Sequence, residues 1–126
     1  MNSKDLVDLE VSLLDACYKD DLELVKNILE ENPNINLNFE HYISKSGGNG
    51  TPLILTGKKE IAELLIKNGA NINYKSTLND GITALDSAIN TRDTKTGYKK
   101  GEKNHQQILE LISYFESLNA KRGNEL

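Results

Sequence analysis

Two histidines, one cysteine and a glycine-rich run carry the readiest chemistry in this 126-residue chain. His41 follows Glu40 and His105 opens a helical stretch, yet neither stands at a recognised spacing from a nucleophile. No G-x-S-x-G, H-E-x-x-H or C-x-x-C occurs. Cys17, being single, can form neither an internal disulfide nor a cysteine-based zinc site, and reads as a small buried helix residue. The run SGGNGT at 46–51 precedes a helix start, a place where phosphates bind, but it lacks the Lys-Ser/Thr ending of a P-loop and any evident preceding strand. It reads as a flexible turn. These groups predict no catalytic site, no metal and no cofactor. The apolar fraction, 37% with no Trp and two Phe, favours interlocking aliphatic helices over a ring-lined pocket for a small-molecule substrate.

The net charge of −4 is unevenly spread. Residues 1–40 hold ten carboxylates against Lys4, Lys19 and Lys26, whereas 92–103 hold Arg92, Lys95, Lys99, Lys100 and Lys103 against Asp93 and Glu102. Segregation of this kind steers charged partners. The basic stretch, with Tyr98, is compatible in composition with nucleic acid, but the acidic remainder repels phosphate, so a protein partner is expected and a nucleic acid is not. No stretch approaches the roughly 18 apolar residues of a membrane span. The first 20 residues carry charged groups in place of a signal peptide's apolar run, so a cytoplasmic chain is expected. Thirteen Lys against two Arg, with 15 Asn, hint at an AT-rich, bacterial genome.

The elements that must position any binding groups emerge from internal repetition. NIN stands at 34–36 and again at 71–73, each after a similar amphipathic run, 20–36 and 57–73, and 105–120 repeats the apolar spacing. Leu24, Val25, Ile28 and Leu29 correspond to Ile61, Ala62, Leu65 and Ile66 and to Ile108, Leu109, Ile112 and Ser113. Steps of one, three and four mark one helical face. Asn32 and Gly69 suit the left-handed position past a helix, and Pro33 cannot continue one. Thr51 and Thr83 are N-cap residues, Pro52 takes the first helical position, and Thr83 with Asp86 forms a short capping box. A short helix therefore precedes each longer one, the first of them in 11–20.

Short helix, turn, long helix and a Gly-Ala-Asn-Ile-Asn turn, with TPL at 51–53, NGANIN at 68–73 and DGITAL at 80–85, resemble the ankyrin repeat. The resemblance implies an all-α solenoid in a single domain, 1–126, with units at about 8–36, 49–73 and 80–120 and enlarged loops at 37–50 and 91–104. Leu24 and Ile61 stand 37 positions apart and Ile61 and Ile108 47 apart, against a family period of about 33. Three residues missing between Thr51 and Gly57 take nearly one turn from the middle unit's first helix. Ile54 and Asp86 stand where the family has His, which implies loss of its usual Thr–His bracing.

One helix pair cannot bury its stripe alone, so pairs stack into a curved slab with an extended concave face. By resemblance, that face is the partner site and presents Tyr18 and Lys19, Tyr74, Asn79, Asp80 and Ile82, and Asn90 and Thr91. The loop 37–50 adds Phe39, His41, Tyr42 and Ile43, and 91–104 adds Tyr98. The function expected is non-enzymatic protein binding through the concave face and loops. The alternative is an immunity-type inhibitor occluding the active site of a basic, nuclease-like toxin, to which the carboxylates Asp15, Asp20, Asp21, Glu23, Glu30 and Glu31 would be complementary.

Overall fold

The computed structural model describes residues 2–43, 48–95 and 105–126. Among the described residues, six α-helices pack as three consecutive pairs: α1 (Ser3–Tyr18) with α2 (Leu22–Glu31), α3 (Pro52–Leu55) with α4 (Lys59–Lys67), and α5 (Ala84–Thr94) with α6 (His105–Ser117). The first helices α1, α3 and α5 pack on one another in order, and the second helices α2, α4 and α6 do the same, giving two layers. Between the first two pairs, β1 (His41–Ile43) and β2 (Gly48–Gly50) form an antiparallel ladder, with His41 opposite Gly50. Gly123–Glu125 form a short 3-10 turn.

One aliphatic core runs through the stack. Leu13 and Cys17, Val25, Ile28 and Leu29, Leu53 and Ile54, Ile61 and Leu65, Leu85 and Ala88, and Ile108, Leu111 and Phe115 are all buried in it. The apolar stripe holds with one shift: in α6 the buried set is Ile108, Leu111, Ile112 and Phe115, while Ser113 is exposed. Leu24, matched to the buried Ile61 and Ile108, is 42% exposed.

Local chemistry sets the helix lengths. Thr51 caps α3 by accepting the Ile54 amide at 3.1 Å, with Pro52 in the first turn, and the helix stops after four residues, as the missing turn requires. Two first helices are longer than the sequence suggests. Asn2 caps α1 by accepting the Asp5 amide, so the helix begins well before residue 11, and Leu9 extends the core stripe backward. The Thr83–Asp86 capping box starts α5, which continues through Thr91–Thr94 into the stretch expected to be loop. Hydroxyls of Thr91 and Thr94 bond back to the carbonyls of Ser87 and Asn90, and Lys95, left-handed at φ 56°, ends the helix.

Three helix ends share one closure. Asp20, Gly69 and Asn119 take positive φ, and the following amides of Asp21, Ala70 and Ala120 return to the carbonyls of Ala16, Leu65 and Phe115. Asn32 does not belong with them. Its φ is −134°, and its side-chain amide instead donates to the Ile28 carbonyl at 2.9 Å. Residues 48–50, read from sequence as part of a flexible turn, form β2.

Candidate partner-binding surface

The turns after α2 and α4 and the C-terminal segment lie in succession, and polar side chains lock each to the next. Asn38 accepts the Asn71 amide at 2.7 Å, and Asn73 accepts the Lys121 amide at 2.9 Å. Glu40 accepts from the hydroxyls of Tyr74, Ser76 and Thr77 and from the amides of Thr77 and Leu78. Burial alone would raise its pKa, but the bonds from Ser76, Thr77 and Leu78 outweigh that and hold it below the usual carboxylate range. Burial, and then the bond to Glu40 and its charge, push the Tyr74 phenol up.

Asp86 fills the second junction. One oxygen accepts the Arg122 Nε at 2.7 Å and the other the Gly123 amide at 2.7 Å, while the Thr83 hydroxyl donates to the Lys121 carbonyl at 2.7 Å. Burial opposes ionisation of Asp86, yet the Arg122 bond and the Gly123 and Thr83 amides keep its pKa low. The bracing expected to be lost with the family's His is thus supplied by an Asp that reaches forward. Ser87 Oγ adds a bond back to the Ile54 carbonyl at 2.9 Å, tying α5 to α3.

These junctions shape an open cleft of about 630 Å³ lined by Lys75, Asn79, Asp80, Gly81 and Ile82 from the 74–82 turn, Asp86, Ser87 and Asn90 from α5, and Arg122, Gly123 and Asn124. Four of the residues expected at a partner site, Asn79, Asp80, Ile82 and Asn90, come together here. Asp80 and Asn90 are exposed, whereas Ile82 packs partly into the core. Thr91 is half-buried, one residue further along α5.

The other expected residues lie elsewhere. Tyr18 is half-buried at the end of α1, and the exposed Lys19 pairs with Asp15 at 3.0 Å. Phe39 packs against the core, with its ring 5.6 Å from that of His41. His41 Nε2 lies 2.9 Å from Glu10 Oε1, anchoring β1 to α1. Tyr74 is half-buried on Glu40. Tyr42 is 64% exposed on the ladder. Tyr98 falls outside the described residues.

Several acidic groups read as partner-facing have internal duties. Asp20 accepts from Thr56 Oγ1 and the Gly57 amide, Asp21 caps α2, and Asp15 and Glu23 pair with Lys19 and Lys26. The sequence gives little sign of Lys75, Arg122, Gly123 and Asn124 as cleft residues. The available signal was Asn119-Ala120, which repeats the Gly69-Ala70 closure and so starts another turn of the same kind.

Among the described residues, no group of three or more His, Cys, Asp or Glu could hold a metal ion, and no helix is long and apolar enough to cross a membrane. The model of ankyrin repeats matches the chain over residues 13–121, in three copies. No curated protein matches it. Ankyrin repeats are general protein–protein interaction modules and typically non-enzymatic. With three stacked helix pairs joined turn to turn and a family match over most of its length, the chain belongs to the ankyrin-repeat family.

Proposed function

We propose that this chain is a non-enzymatic binding module that engages a protein partner through the cleft between the 74–82 turn, α5 and the C-terminal turn, with the exposed Tyr42 as an outlying contact. The observation that carries this reading is the pairing of exposed polar groups, Asp80 and Asn90, with a rigid mount beneath them: Glu40 and Asp86 fix the two turns that form the cleft walls. Preorganised turns cost little ordering entropy when a partner docks. The cleft is open, and its polar groups are the amides of Asn79, Asn90 and Asn124, the Arg122–Asp86 pair, Lys75, Asp80 and the Ser87 hydroxyl, which bonds to the Ile54 carbonyl.

A second reading, an inhibitor of a basic toxin, is favoured by one observation. Glu30 and Glu31 remain exposed at the end of α2, and neither enters an ion pair among the described residues. Both readings are tested by affinity capture with the native chain and with Asp80→Lys and Asn90→Lys variants. A protein recovered by the native chain and lost with the variants supports the module. Its identification as a basic hydrolase would select the second reading, and recovery of nucleic acid alone would refute both.

A further inference from the structure

The cleft beside α5 is floored by two glycines. Gly81 and Gly123 meet there backbone to backbone: a Cβ at Gly123 would lie 2.1 Å from the Gly81 carbonyl oxygen, and one at Gly81 would meet Lys75 Cε at 3.6 Å. Two cations stand at this floor, the exposed Lys75 alongside Gly81 and the half-exposed Arg122 next to Gly123. Paired glycines let an anion, or a partner's main chain, approach the backbone closely.

The polar groups around that floor divide into spent and unspent. Asp86 is spent: its two oxygens take the Arg122 Nε and the amides of Gly123 and Thr83. Arg122 gives only Nε to that bond, so its two terminal nitrogens keep their donors. Asp93, bonded to Arg92 Nε at 2.9 Å, is the other carboxylate whose charge reaches Arg122. Among the described residues, the side chains of Lys75, Asn79, Asp80, Asn90 and Asn124 make no hydrogen bond or ion pair. The asparagine carboxamides, each both donor and acceptor, match the alternating C=O and N–H groups of an extended peptide, whereas phosphate offers acceptors alone.

We propose, resting on the cleft's role as partner site, that it takes an extended acidic segment of the partner protein. A Glu or Asp carboxylate lies over the glycine floor on the terminal nitrogens of Arg122 and on Lys75, and the flanking main chain bonds to Asn79, Asn90 and Asn124. Arginine pairs with a carboxylate in a planar, bidentate geometry, and the Asp86 mount fixes the guanidinium in advance. Asp80 accepts a main-chain N–H beside the carboxylate. It also disfavours a phosphate, whose second negative charge would face it. A segment with Gln in place of Glu would leave Lys75 without its counter-charge.

The test titrates the isotope-labelled full chain by NMR with a short end-capped peptide of alternating Glu and Ser, and separately with its Gln and Ser counterpart. The Glu/Ser peptide should shift the amide signals of Asp80, Gly81, Asn90 and Gly123, and the Gln/Ser peptide should not. Arg122→Gln should weaken binding about ten-fold and Lys75→Gln several-fold, the second with a flatter salt dependence, while both leave the circular dichroism unchanged. Equal shifts from both peptides, no shifts at the cleft, or undiminished binding to Arg122→Gln overturns the proposal. So does displacement of the peptide by inorganic phosphate at equal concentration, since the floor would then be a general anion site. A protein captured by the native chain, lost with Asn90→Lys and fully retained by Arg122→Gln would sink the acidic segment alone and leave the partner site standing.

Discussion

Asp20 and Gln107 lie 87 positions apart in sequence, and the Gln107 amide donates to the Asp20 carboxylate at 3.1 Å. The same amide nitrogen donates to the Gly57 carbonyl at 3.0 Å, and Asp20 accepts from Thr56 Oγ1 at 2.9 Å and from the Gly57 amide at 2.8 Å. One carboxylate thus joins the inter-helix turns of the first and second pairs to the start of α6 in the third. It does so from a left-handed backbone, φ 55°, that Asp tolerates better than most residues.

Asp20→Ala should therefore lose both the bonds and the backbone fit, destabilising the chain by roughly 2–4 kcal/mol in urea unfolding. Asp20→Gly loses the same bonds but accepts the φ, and should be less damaging than Ala by about 1 kcal/mol. Equal effects of Ala and Gly would show that the backbone is not strained at this position.

Glu40 gives the fold a pH dependence of defined sign. Its pKa is lowered in the folded state, so its contribution is fully present above the unfolded carboxylate value, near about 4.3, and is lost as pH falls through the folded value. Glu40→Gln should lower Tm at pH 7, since an amide cannot accept all the donors of Tyr74, Ser76, Thr77 and Leu78. The gap between native and Gln forms should narrow as pH drops from 5 to 3, on the order of the folded-state shift. A gap that is constant with pH would remove the ionised carboxylate from the account.

Gly123 separates packing from electrostatics at the last junction. A Cβ there would lie 2.1 Å from the Gly81 carbonyl oxygen, so Gly123→Ala must displace the C-terminal turn and break the bond to Asp86. It should cost about 2 kcal/mol or more. Arg122→Ala removes a half-exposed ion pair and should cost under about 1 kcal/mol. Unfolding midpoints in the reverse order would contradict this placement of the turn.

Much of the fold was legible because its signals are local. The stripes through Val25, Ile28 and Leu29 and through Ile61, Ala62 and Leu65, and the caps at Thr51 and Thr83, act within one or two helical turns. The junctions were not legible, because Glu40 meets Thr77 and Asp86 meets Gly123 across 37 positions, and nothing in the sequence near Glu40 marks it as an acceptor. Gly48–Gly50 escaped notice as a strand because a glycine-rich run has no alternating apolar pattern. Of the cleft, Asn79, Asp80, Ile82 and Asn90 were accessible from the family pattern, whereas Arg122 and Asn124 enter only because the segment after Ala120 folds back as a further turn.

The central claim, that the chain works by binding a protein at the cleft beside α5, is tested most directly by site-specific photocrosslinking in the native cell. A photoreactive side chain is placed at Asn90 inside the cleft and, separately, at Ser113 of α6, which is exposed and does not line it. A discrete protein adduct from Asn90, absent from Ser113 and abolished by Asp80→Lys, is the predicted result. Adducts from Ser113 alone, or an Asn90 adduct indifferent to Asp80→Lys, would contradict it.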